Sequence, residues 1–529
     1  MRRFLLPVFL KSENRFASYP FPFLEDEVED GTAGNGLPRL SREEMLEDFD
    51  AMTEALRDAM PHAPAVQAGF GIDIWRKLDG YRSRITNEET PLDFMRLLSN
   101  ALSACKGHHL WLHSLFWWAD DDPWFQGRYG DKISPEAIRI NKQVHSLLRS
   151  VPPVQPPAPM RFLYWDGSYY TAPEFTLNGT SYHGPFKLLA VDGRTPEEIE
   201  QLTQDSLALF DSVKKCFYQP DFYASLPQKV PGSREFLFET PEKEKLTLVI
   251  SDAAKLEQPP RNQFFWTPKE VLFLKEHDLV YIRVPAMNPE DLPFYREKLL
   301  PILKQEKPRY AVIDIRGNGG GSDLVPSTLV AMTLAHPVPF TGILGTPANE
   351  RIREYARNKL DDSTYGNGTK TRIIPFLKNR LFDIFDFEGT IESEPDACVE
   401  HVYVIAHNVY SSAGTLVAMA KTNPRIMTSV GFTSPQPLGV GFEPYFFSLP
   451  NSCLVVSVEP AIDLTDSRSA EDTLHLDIGI ELNMSPEEYL AYVFRPIPEE
   501  KQNYLEKEDP FMLKIFDLIR EREAASGEK

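Results

Sequence analysis

Residues 310–322 read YAVIDIRGNGGGS. From Ala311 to Ile315 every residue except Asp314 is apolar, and most are β-branched, which is the composition of a buried strand. The run stops at Arg316-Gly317-Asn318 and is followed by Gly319, Gly320 and Gly321. Three successive glycines remove every Cβ where the strand ends, so backbone amides there can approach a ligand closely. A second apolar run, VYVIAH at 402–407, leads into Asn408-Val-Tyr-Ser411-Ser412-Ala413-Gly414. One strand thus ends in bare amides and another in serine, the two halves of an oxyanion hole and nucleophile. Taken singly, each segment also reads blandly. A glycine cluster after a strand is commonly a turn, and serines at a helix start are commonly caps. Two phosphate-binding patterns fail: Ser322 occupies the third glycine of GxGxxG, and no Lys-Ser or Lys-Thr follows the glycines.

Working outward, strands and helices alternate from residue 278 onward. LVYIRV is followed by a helix near 289–305, YAVIDIR by one near 322–335, and VYVIAH by one near 411–421. Such alternation predicts a mostly parallel sheet covered by helices. Short strands are expected at 444–449 and 453–458, and a charged amphipathic helix over about 501–525. Upstream, Ser41-Arg-Glu-Glu44 reads as a capping box. Met45, Phe49, Met52 and Leu56 follow it at helical spacing, with further helical patterns over 73–86 and 91–106. VPPVQPPAP at 151–159 reads as a stiff linker. Beyond it, strand-like runs at 161–165, 186–191, 234–239 and 245–250 surround a helix from about 196 to 210. The expected division is an extended segment 1–38, a helical domain 39–150, a β-rich module 160–260, an α/β domain 270–500 and a C-terminal helix 501–529.

Composition narrows the function classes. The chain has 529 residues, 42% hydrophobic and 25% charged, as expected of a globular protein with large cores. A net charge of −21 argues against a general nucleic-acid binder and leaves no basic run for an anionic membrane surface. The four cysteines, Cys105, Cys216, Cys398 and Cys453, are dispersed and lack CxxC spacing, so neither a disulfide scaffold nor a zinc site is expected. No metal or other cofactor is implied. The start, MRRFLLPVFLKSEN, is a poor signal peptide because Lys11 ends the apolar run early. No later run approaches a membrane span. Localisation is left open.

Four phrases in order, IRGNGGGS, YSSAG, VGFTSP and SLPNSCLVVSV, resemble the C-terminal processing (tail-specific) serine peptidases, whose relatives include the tricorn core and CPAF-type proteases. The family's strand motif, roughly DLRxNxGG, is matched by Asp314-Ile-Arg316-Gly-Asn318-Gly-Gly320. Upstream, Asp93-Phe-Met-Arg-Leu-Leu98, Ala101-Leu-Ser-Ala104 and Lys106-Gly107-His108-His109 resemble the phrase that closes the family's N-terminal helical domain. FKLLAVDGRTPEEI at 186–199 looks like part of its PDZ-like module. The similarity spans about residues 41–490. It implies an α/β fold with a ClpP/crotonase-like core, an N-terminal helical domain and a PDZ-like β-rich module. It also implies a serine endopeptidase acting on protein or peptide substrates through an acyl-enzyme.

Carried onto this sequence, the family's nucleophile motif S-A-S-A-x-E falls on Ser411-Ser412-Ala413-Gly414-Thr415 and makes Ser412 the expected nucleophile. Many members use a lysine about two dozen residues later, but no lysine occurs between Lys421 and Lys501. The resemblance therefore points to the tricorn/CPAF-type branch, with His108 as base. His109 and His407 are rivals. Imidazole titrates near pH ~6.5 and can take and return a proton at neutrality. Glu471 is the expected acidic partner, with Asp472 as runner-up, and Gln436 falls where the dyad lysine would lie. Ala413 and Gly319 or Gly320 would supply the oxyanion-hole amides, and a peptide would add along a strand edge. KGHH in place of the usual GDGHT, and Thr415 in place of glutamate, leave open an inactive peptide- or ligand-binding pseudoprotease. A crotonase-like thioester chemistry is the third reading, but no coenzyme A feature accompanies it.

Overall fold

The computed structural model describes residues 39–87, 90–107, 109–113, 133–150, 160, 162–205, 209–211, 216–219, 222–223, 226–258, 268–359, 370–432, 444–474, 477–495 and 500–526. The N-terminal segment, the proline-rich stretch 151–159, His108 and Gln436 lie outside these.

The central sheet has six strands in the order Glu270–Leu274, Leu279–Arg283, Tyr310–Asp314, His401–Ala406, Met427–Gly431, Ile480–Glu481. The first two pair antiparallel and the others run parallel. Tyr310–Asp314 and His401–Ala406 are buried at every position, because helices cover both faces. That is why these strands read as continuous apolar runs. The period of two divides their side chains cleanly. Val280, Ile282, Ala311, Ile313, Val402 and Val404 pack under the helices Leu292–Gln305, Leu324–Thr333 and Ser412–Thr422. Tyr281, Tyr310, Val312, Tyr403 and Ile405 pack under the C-terminal helices. The expected single tail helix is two, Lys501–Lys507 and Pro510–Ser526. Pro510 cannot continue the first, and its neighbour Asp509 is fully buried. The tail is therefore a layer of the core, with Tyr504, Leu505, Phe511, Met512 and Ile515 inside.

The capping box at Ser41 opens the helix Arg42–Ala59 as expected, and Met45, Phe49, Met52 and Leu56 face inward. The helices Ala63–Phe70, Ile74–Arg82 and Pro91–Ala104 follow. The strands Leu163–Trp165, Ser168–Tyr170, Lys187–Val191, Ser233–Glu239 and Lys245–Ser251 form an antiparallel five-stranded sheet, and the helix predicted to reach residue 210 ends at Thr203. One apolar core joins the N-terminal helices, this sheet and the hairpin strands Tyr445–Ser448 and Val455–Val458 through residues such as Phe49, Leu98, Phe236 and Val456. The hairpin turn is held from the first helix: the buried Asp48 carboxylate accepts the amides of Asn451 at 2.7 Å and Ser452 at 2.9 Å.

Candidate active site

The glycine loop rests on a buried ionic cluster. The Asp314 carboxylate accepts Arg316 Nη2 at 2.6 Å and the Tyr281 hydroxyl at 2.6 Å. Arg316 also donates to Asp509 Oδ2 at 2.8 Å and to the Tyr492 hydroxyl at 3.1 Å. Arg283 braces the carbonyls of Asp314 and Arg316 at 3.0 and 2.8 Å. Two guanidiniums thus face two carboxylates with no net charge, which makes their burial tolerable. Burial alone opposes ionisation of Asp314. The guanidiniums of Arg316 and Arg283 override that and hold its carboxyl far below the usual range.

Beyond the cluster the loop is pinned amide by amide. Gly317 N–H donates to the His407 carbonyl, Asn318 N–H to Ile315 and Ser322 N–H to Met287. Gly320 N–H donates to the Asn318 side-chain oxygen at 2.8 Å. The amides of Gly319 and Gly321 have no partner among the described residues. Gly320 sits at φ +100°, and a Cβ there would lie 2.5 Å from the Ser411 Cβ. Gly321, at φ +142°, would meet the Met287 carbonyl oxygen at 2.3 Å. Only glycine fits this approach of loop to serine.

The strand His401–Ala406 feeds a sharp turn into the helix Ser412–Thr422. Ser411 occupies the turn at φ +54°, ψ −133°, a region that costs a non-glycine residue roughly 1–3 kcal/mol and recurs at active sites. A serine on such a strand–turn–helix elbow has its hydroxyl thrust outward. Ser411 is half-buried, caps nothing, and its hydroxyl has no partner among the described residues. Ser412 differs. It is 8% exposed and its hydroxyl donates to the Gly321 carbonyl at 2.8 Å. The amides follow the same division. Ala413 N–H is bonded to the Tyr410 carbonyl at 3.2 Å, whereas Ser412 N–H has no partner among the described residues. Of the expected oxyanion donors, Ala413 and Gly320 are therefore already bonded, and Gly319 is available.

A histidine reaches this turn from the N-terminal helices. After the helix ending at Ala104 the chain turns through Lys106 and His109, both at positive φ, +52° and +44°. It then becomes the strand Trp111–His113, antiparallel to Val455–Val458. Trp111 pairs with Ser457 and Leu112 with Val456. Continuing that register places His109 opposite Glu459. The side chains meet: His109 Nδ1 lies 3.1 Å from Glu459 Oε2. Glu459 is 1% exposed, and its other oxygen accepts Ala461 N–H at 3.2 Å. The His109 ring packs on Tyr410 at 4.9 Å between centroids, His109 N–H donates to the Tyr410 hydroxyl at 3.1 Å, and Ser457 donates to the His109 carbonyl at 2.6 Å. Tyr410 immediately precedes Ser411.

Glu459 was not foreseen. Its only sequence signal is the register of a three-residue strand with a partner more than three hundred residues away. The expected Glu471 sits half-buried on a single 3-10 turn, Glu471–Thr473, beside the helix Ala63–Phe70. Asp472 accepts the amides of Arg468 and Ser469, both at 2.8 Å, and so shapes its own turn. His407 lies on the sheet face under the C-terminal helices, against Phe432 and Tyr489. Burial there, with Arg316 nearby, pushes its pKa down to about 3, so it is neutral and faces away from the serines. Among the described residues no group of His, Cys, Asp and Glu could hold a metal, and no helix is long and apolar enough to cross a membrane.

No protein-family model matches the sequence. No curated protein matches it significantly. Solved structures do. Mature CPAF complexed with lactacystin aligns with 90% of this chain and 98% of its own, at a TM-score of 0.53 and 12% identity. A second structure of mature CPAF gives the same coverage, 0.52 and 13%. The photosystem II D1 C-terminal processing protease aligns with 89% of this chain and 99% of its own, at 0.37 and 12%. At such identities the likeness is one of fold: the chain folds as mature CPAF does.

Proposed function

We propose that the protein is a serine peptidase that forms its acyl-enzyme on Ser411, with His109 as base and Glu459 as the group that orients it. The observation that carries this reading is the elbow. Ser411 is the strained, half-buried serine with a free hydroxyl, while the neighbouring Ser412 is buried and bonded to Gly321. This moves the nucleophile one residue from the position that motif counting gives. A serine hydroxyl is a weak nucleophile until a base takes its proton. An imidazole whose Nδ1 lies 3.1 Å from a buried carboxylate can turn Nε2 to that task, and the carboxylate would stabilise the imidazolium that forms. The negative oxygen of the tetrahedral intermediate would be met by the amides of Ser412 and Gly319. One such donor is worth about 10²–10³ in turnover. In this reading the central sheet with its serine helix is the ClpP/crotonase-like core, the sheet over 163–251 is the PDZ-like module, and substrate is an extended peptide.

Fluorophosphonate labelling tests the assignment. Wild-type protein should react, S411A and H109A should not, H108A should retain most of the reaction, and S412A should still label, more slowly because the Ser412–Gly321 hydrogen bond is lost. Labelling that survives in S411A but vanishes in S412A would restore the motif-based nucleophile. Loss in H108A with retention in H109A would move the base by one residue. A wild-type chain inert to the probe, yet binding peptides, would favour the pseudoprotease.

A further inference from the structure

Behind the elbow lies a polar contact that the reaction just described does not use. Ser412 and Thr415 stand three residues apart on one face of the serine helix. Both reach the segment that follows the glycine loop. Ser412 Oγ donates to the Gly321 carbonyl at 2.8 Å, and Thr415 Oγ1 donates to Asp323 Oδ1 at 2.7 Å. Asp323 stands at the start of the helix Leu324–Thr333 but makes no side-chain cap to it. Its carboxylate turns across to the other helix instead, where Thr415 is its hydroxyl donor. Burial pushes the Asp323 carboxyl up, and the neighbouring Thr415 and Ser412 hydroxyls oppose that. A carboxylate facing the first turn of the serine helix also meets the positive end of its dipole.

We infer that Asp323, acting through Thr415 alongside the Ser412–Gly321 hydrogen bond, is a positioning residue that clamps the glycine loop to the serine helix and so fixes the separation of the two halves of the acyl site. The inference rests on the serine-peptidase reading. The geometry gives the clamp its consequence. Gly320 is so close to Ser411 that no Cβ fits between them. A loop free to drift would carry the Gly319 amide away from the amide of Ser412. Neither Asp323 nor Thr415 touches the reacting atoms, and their effect is the spacing alone.

The clamp is tested with T415V, which loses the hydroxyl at nearly constant shape, T415S, which keeps it, and D323N, which removes the charge. Phosphonylation by a fluorophosphonate, in which the serine oxygen bonds phosphorus and fluoride leaves, should slow about 10- to 100-fold in T415V and D323N, the penalty of misplacing an oxyanion donor by a fraction of an ångström to an ångström. T415S should recover the wild-type rate. Hydrogen exchange of the amides 410–416 should quicken in T415V and D323N while global melting is unchanged. Wild-type exchange at 410–416 in both variants, or equal phosphonylation in T415V and T415S, overturns the clamp. A wild-type chain inert to the probe would instead remove the peptidase reading, and the exchange measurement alone would then decide whether the clamp exists.

Discussion

Replacing Gly320 with alanine is the sharpest single perturbation of the site. The added Cβ would lie 2.5 Å from the Ser411 Cβ, 2.8 Å from the Tyr410 carbonyl oxygen and 3.0 Å from the Ser412 nitrogen. Carbon atoms rest at about 3.5–4.0 Å, so loop and elbow must part by roughly 1 Å. None of the colliding atoms is the far end of a flexible side chain, so backbone has to move. The residue is also at φ +100°, which costs an L-residue roughly 1–2 kcal/mol. A misplacement of that size at an acyl site costs about 10²-fold in rate. G320A should therefore be phosphonylated by a fluorophosphonate at least about 100-fold more slowly. G232A separates strain from collision: Gly232 is at φ +81° with nothing within 4 Å of its added Cβ, so it should lose stability and keep its rate. The assay is the second-order inactivation rate, read beside a thermal melt. A G320A chain that melts like wild type and is phosphonylated within about threefold of it would refute the reasoning, since roughly 1 Å of displacement at the acyl site cannot be silent.

Three further outcomes follow from the same geometry. E459Q should lower acylation on the order of 10³–10⁴-fold by allowing the wrong imidazole tautomer, while E471Q stays near wild type; the reverse order in inactivation kinetics would contradict the pairing. D509A leaves the buried Arg316 guanidinium without one of its two carboxylates and should cost about 3–5 kcal/mol in urea unfolding, although Asp509 is far from the serines in sequence. Stability should also fall in mild acid. His62 and His401 are buried, and burial lowers their pKa to about 3 and about 4. The unfolded chain takes up protons below pH ~6.5 that the folded chain refuses, so each imidazole removes up to about 1.4 kcal/mol per pH unit as pH drops toward its folded value. H401Q should flatten that slope in urea midpoints measured from pH 7 to 5, and an unchanged slope would show that His401 is not its source.

Much of this site was legible from residues alone. The glycine run after an apolar strand marked a place where backbone amides can be approached closely, although a glycine cluster there is also commonly a plain turn. The capping box at Ser41 and the helical spacing after it marked the first helix. Other features depend on what a sequence does not write down. Ser411 and Ser412 are the same residue type side by side, and only the backbone torsions separate the strained elbow from the bonded helix start. Glu459 meets His109 because two short strands pair in one register, a fact fixed by packing between distant segments and by Asp48 holding the hairpin turn. The tail read as one charged amphipathic helix, yet Asp509 pairs with Arg316 beneath the loop, since only the fold brings those charges together.

Which serine oxygen attacks is the central point of the proposed site. Wild-type protein treated with a fluorophosphonate, digested, and sequenced by tandem mass spectrometry should show the phosphonyl mass on Ser411. An adduct on Ser412, with Ser411 unmodified, would contradict it.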